Sequence, residues 1–153
     1  MSWIIDGADR ETHTAALPVI GDHFEQLYAS FWELPQLPAQ TLELCRLRLA
    51  QLHRSHADFE LQKYPLASAK RDSLKDWHRG ELFTAAERAC LEFTEIYAMD
   101  CRNITDEQAT AVKQHHGEVG LVALLQALGV FDGVIRLGLI WQTSATGVTD
   151  NGH

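Results

Sequence analysis

The 153-residue sequence is short of the residues that cross-link a chain or break it: three cysteines and four prolines. Cys45, Cys90 and Cys101 are odd in number and widely spaced, which argues against a disulfide framework and for reduced thiols. Positive charge is also scarce, with 13 Lys and Arg against 21 Asp and Glu, a net −8 without any dense basic block. Such a field repels phosphate backbones, so no nucleic-acid partner is predicted. Strand signals are missing as well: there is no sustained alternation and no Asn-Gly or Asp-Gly turn between β-branched runs. The opening MSWIIDGADRETH lacks the basic start and apolar run of a signal peptide, so the expected location is cytoplasmic. The longest apolar stretch, 119–130, is interrupted by Gln126 and followed by Asp132. It reads as a buried helix too short to cross a bilayer, and no membrane association is predicted. Internal repeats and low-complexity segments are absent too.

What is present is helical periodicity. Ile20, Phe24, Leu27, Tyr28 and Phe31 recur at spacings of three and four and make one face of a helix over 17–32. Pro35 and Pro38 break the chain before a second helix that starts near Thr41, with Leu42, Cys45, Leu49 and Leu52 on one side. A third, more polar helix is predicted over 66–77 and is closed by Gly80. Thr84 with Glu87, and Thr105 with Gln108, have the spacing of capping boxes that open two more helices, the second running to His115-His116 before Gly117. The last helix, 118–141, is the most apolar; its glycines at 129, 133 and 138 make sense where another helix packs closely. The expectation is one all-α domain of about six helices over 1–153. Its core spans about 17–142, with the N-terminal segment and the polar tail TSATGVTDNGH outside it. The tryptophans at 3, 32, 77 and 141 are expected to anchor packing or a subunit interface.

The chemistry-bearing stretch is ELCRLRLAQLHRSHADFELQ, residues 43–62. His53 and His56 share a face if the helix is continuous, but no third ligand is fixed by spacing, so neither a metal nor another cofactor is predicted. If the chain breaks at His53-Arg54, Ser55 becomes a helix N-cap and Asp58 favours the helix dipole. Glu43 either lies on the polar face of its helix or projects into a pocket, where it could serve as a general base. Arg136, in a nearly uncharged helix, is expected to pair with Asp132 or Glu43, with anchoring of an anionic substrate as its other role. Cys45 and Cys90 fall on apolar faces as core residues, and Cys101 near a helix end has no resolving partner in view.

Three segments carry a resemblance: ELCRLRLAQL at 43–52, DWHRGELFTAAERACLEFTE at 76–95 and VFDGVIRLGL at 130–139. Together they resemble the carboxymuconolactone decarboxylase and alkylhydroperoxidase (AhpD-like) family. The resemblance implies a helical subunit that assembles as a homo-oligomer (dimer, trimer or hexamer), a small-molecule ligand, and peroxiredoxin-type antioxidant activity. The family's peroxidase branch pairs a glutamate with a Cys-x-x-Cys and a following histidine. A cysteine at a helix N-terminus has a lowered pKa, the second cysteine resolves its sulfenic acid, and the glutamate and histidine relay the proton. Carried across, the glutamate falls on Glu43, the two cysteines on Ser55 and Asp58, and the histidine on Gln62. A serine hydroxyl neither ionises at neutral pH nor forms a disulfide, so the dithiol mechanism is not expected. R-S-H at 54–56 partly echoes the decarboxylase branch, which leaves two expectations. One is an acid–base enzyme using Glu43 with His53 or His56 on a small organic acid or lactone. The other is a non-catalytic, ligand-binding homo-oligomer.

Overall fold

A computed structural model describes residues 9–141. Trp3 and the polar tail lie outside the described residues. Among those described, the chain is all-α: seven helices, three short 3-10 turns and no strand. The helices are α1 (Arg10–Thr14), α2 (Pro18–Ser30), α3 (Ala39–Leu52), α4 (His56–Glu60), α5 (Ser68–Ser73), α6 (Ala85–Asp100) and α7 (Asp106–Trp141).

The three long helices α3, α6 and α7 pack on one another, and α3 lies at the centre. One face of α3, through Leu42, Cys45 and Leu49, meets Cys90 and Phe93 of α6 and Leu124, Leu128 and Phe131 of α7. Its opposite face, through Leu44 and Leu47, meets Leu74, Trp77, Phe83 and Leu91. Leucines on both sides therefore bury the whole middle of α3, including the polar residues that fall between them.

The local signals act as their chemistry demands. Thr84 and Glu87 form a reciprocal capping box at the start of α6, at 3.1 and 2.9 Å. Thr105 and Gln108 make the corresponding pair of bonds at the start of α7. Pro18 occupies the first turn of α2, where its missing N–H costs nothing. Gly117 has φ 72° and ψ 178°, a conformation closed to most L-residues. It breaks α7 into two arms, 106–116 and 118–141, as the sequence pattern predicts.

Three features differ from the sequence reading. The expected third helix is only the short α5 followed by a 3-10 turn over Leu74–Asp76. A further helix, α1, is capped by Asp9, whose side chain accepts from Thr12 N at 2.8 Å. It lies close on α2: a Cβ on Gly21 would stand 2.7 Å from Thr14 O. Finally, the glycines of α7 are not all filled from within the chain. A Cβ at Gly133 would meet nothing within 4 Å among the described residues, and at Gly129 only the Tyr97 hydroxyl at 3.9 Å. By length and composition α7 could cross a membrane, and 39% of its most apolar 18-residue stretch is buried in the chain.

Two described tryptophans are packing anchors in the core: Trp32 stacks on Phe131 at 5.3 Å, and Trp77 Nε1 donates to Glu95 at 2.7 Å.

Candidate functional site

The sequence's candidate residues separate into three places. Glu43 and Arg46 lie one turn apart on the doubly covered middle of α3 and are 0% and 1% exposed. Arg46 donates from Nε to Glu43 Oε2 at 2.9 Å and from Nη2 to Oε1 at 2.7 Å. Its remaining donors reach the backbone carbonyls of Asp58, at 2.9 Å, and of Leu61. The backbone N–H of Lys63 donates to Glu43 Oε1 at 3.2 Å. The pair thus pins residues 58–63 onto α3. Burial works against the Arg46 charge, but the hydrogen-bonded Glu43 carboxylate more than offsets it and holds the guanidinium pKa above its usual value. Glu43 does border a cavity of about 150 Å³, with Leu47, Leu61, Gln62 and Arg71, but no histidine lines it. The exposed Gln62 sits at that cavity, away from the Ser55–Asp58 pair.

The second place is the break after α3. The helix ends at His53, Arg54 takes φ 56°, and Ser55 begins α4 as its N-cap. Ser55 Oγ accepts from Asp58 N at 3.4 Å and donates to Asp58 Oδ2 at 2.7 Å, and both residues are buried. Ser55 and Asp58 therefore bond to each other and to the start of α4. His56, the first residue of α4, is exposed and faces a cleft of about 470 Å³ with Arg48, Gln51, Arg54, Phe59 and Lys75.

The third place joins residues 79 positions apart. His53 Nε2 donates to Asp132 Oδ1 at 2.5 Å, while Asp132 Oδ2 accepts from Arg136 Nε at 2.8 Å. Because the helix stops at His53, that ring turns to α7 and not toward His56. Of the two partners expected for Arg136, Asp132 is the one it has; Glu43 is taken by Arg46. Asp132 and Arg136 line a cavity of about 530 Å³ with Tyr97, Met99, Asp100, Cys101 and Arg102. His53 stands behind Asp132 and is not part of the lining. Burial raises the pKa of the Tyr97 hydroxyl, and the charges of Asp132 and Cys101 push it the same way. Hydrogen bonds engage both oxygens of Asp132 and both of Asp100. The side chain of Arg102, in contrast, has no partner among the described residues. The unengaged N–H groups of Arg102 and Arg136 are donors that suit an anionic ligand.

The cysteines are free. Burial pushes the Cys45 thiol up to about 12, and pushes Cys90 upward as well. Cys101 is exposed at the wall of the Asp132 cavity. Among the described residues no group of three or more His, Cys, Asp or Glu could hold a metal ion.

The Arg46 pairing has a sequence signal, a cation three residues from a carboxylate on one helix. Tyr97 and Arg102 had none, since only the packing of α6 on α7 brings them to Asp132. No protein-family model and no curated protein matches the chain.

Proposed function

We propose that the chain is an AhpD-like helical protein that acts by acid–base chemistry, not dithiol chemistry, on a small organic acid or lactone. The observation that carries this reading is Asp132, held between His53 and Arg136 at the wall of the 530 Å³ cavity. Arg102 and the free donors of Arg136 would hold the substrate carboxylate, with the Tyr97 hydroxyl as a further donor. In a decarboxylation the bond from carbon to the leaving carboxylate breaks, carbon dioxide departs, and the electron pair left on carbon takes a proton. Asp132 is the group placed to pass that proton. His53 acts through it, as a positioning residue and a proton reservoir.

The AhpD-like assignment rests on the segments at 43–52, 76–95 and 130–139. It is supported by an all-α chain in which a buried glutamate on α3 precedes a helix that starts at the motif-equivalent Ser55. The antioxidant activity that the resemblance implies has little support from the residues: the two motif-equivalent positions are a serine and an aspartate bonded to each other. A homo-oligomer is part of the proposal. Val122, Leu125 and Ile140 are 50%, 39% and 48% exposed on one stripe of α7, and Gly129 and Gly133 leave that stripe open to a close helix. The second reading, a ligand-binding oligomer without catalysis, is favoured by the full engagement of the Glu43 carboxylate with Arg46 and Lys63.

The test measures carbon dioxide release from unsaturated lactone carboxylates and β-keto acids, beside peroxide turnover with a thiol reductant. The expected result is decarboxylation that survives Cys45→Ala/Cys90→Ala/Cys101→Ser and is lost in Asp132→Asn. Binding without turnover would favour the second reading. Peroxide turnover that depends on Cys101 would overturn both.

A further inference from the structure

The end of α3 departs from what its backbone asks for. Ser55 N donates to Ala50 O at 2.8 Å and Arg54 N to Gln51 O at 3.0 Å, the two bonds of a Schellman motif. The residue at its left-handed position is Arg54, with φ 56°, where glycine or asparagine is the unstrained choice. A long cationic side chain is thus held on a strained backbone at the rim of the 470 Å³ cleft.

The other groups of the cleft give that placement a use. Arg54, His56 and Lys75 are exposed, and none of their side chains has a hydrogen-bond or ion-pair partner among the described residues. Arg48, in contrast, is neutralised by Glu95 at 2.7 Å and bonded to Gln51 at 2.9 Å. A protein of net charge −8 therefore keeps uncompensated positive charge in one concave place. The half-buried Phe59 gives the same cleft apolar surface, while Arg71, over the Phe59 ring at 5.0 Å, is paired with Glu60 at 3.6 Å. None of these lining residues belongs to the Asp132 cavity.

We propose that this cleft is a second binding site, for an organic anion with a flat apolar body. The anionic head lies between Arg54 and Lys75, and the body lies against Phe59. The anion supplies the counter-charge that the chain withholds, and the apolar part gains from leaving water.

The probe is 2-naphthoate, titrated into the full chain and followed by amide NMR, with neutral 2-naphthol and inorganic phosphate as the other arms. Naphthoate should shift the signals of residues 50–59 and of Lys75 and bind more weakly as salt is raised. Arg54→Gly relieves the backbone strain, so it should raise the melting temperature while weakening naphthoate binding by about tenfold or more. Lys75→Gln should weaken binding several-fold without altering stability; it carries the test alone if Arg54→Gly fails to fold. Unchanged affinity in these variants, or shifts confined to other residues, would overturn the proposal. So would 2-naphthol binding as tightly as naphthoate, which removes the need for charge, or phosphate doing so, which removes the need for the apolar surface.

Discussion

Arg46 meets Glu43 at two points, 2.9 and 2.7 Å, with both side chains almost wholly out of water. Taking two such charges from water is costly, so the pair is stable only while every lone pair and donor is used. Removing one partner strands the other. Glu43→Gln is expected to lower the unfolding free energy by about 3–5 kcal/mol. Arg46→Met should cost more, because it also abandons the carbonyls of Asp58 and Leu61. Urea denaturation followed by circular dichroism measures both; equal, small losses would mean that the 58–63 segment holds without the pair.

Buried acids that cannot ionise make the fold sensitive to alkali. Burial raises the Cys45 thiol from 9.0 to about 12 and the Tyr28 hydroxyl from 10.0 to about 12. The folded chain then keeps protons that the unfolded chain gives up. Their contribution is fully present below pH 9 and is lost as pH rises toward about 12. Stability should fall steadily between those limits, and Cys45→Ala should flatten the fall. The same burial predicts one thiol, Cys101, reacting with a disulfide reagent in the native protein, and three in urea.

The elements with a local cause were legible in the sequence: the boxes at Thr84 and Thr105, the break at Gly117, and the Ser55 cap. Each depends on residues within four positions of one another. The Asp132 site was only half legible. Arg136 pairs with Asp132 at helical spacing, which periodicity reveals, but His53 reaches Asp132 only because α3 and α7 cross. The burial of Glu43 was hidden for a related reason. Nothing local says that α3 is covered on two faces, and a charged residue among leucines reads equally well as a solvated stripe. The helix α1 is five residues long, too short for periodicity to declare it.

Asp132 ties His53 to Arg136, so its replacement should be felt at both. Asp132→Asn keeps the shape but removes the charge. The imidazole signals of His53 should move in the NMR spectrum, and turnover of any decarboxylated substrate should fall by about 100-fold or more. Arg136→Gln should instead raise KM with a smaller effect on kcat, since its spare donors face the cavity. A variant at Asp132 with native turnover would remove the acid–base reading and leave binding alone.

Two glycines of α7 make opposite predictions. Gly117 has φ 72°, so Gly117→Ala should destabilise the chain by about 1 kcal/mol or more through backbone strain. Gly133 is helical, and a Cβ there meets nothing within 4 Å among the described residues. In an isolated chain Gly133→Ala should therefore stabilise α7, by up to about 1 kcal/mol. If a second copy packs its helix against the stripe of Val122, Leu125, Gly129 and Ile140, a bulky side chain at 133 has no room. Gly133→Leu should then shift the protein toward monomer in light scattering while its helical content stays native. A Gly133→Leu protein that keeps the native mass would place any oligomer contact elsewhere on the surface.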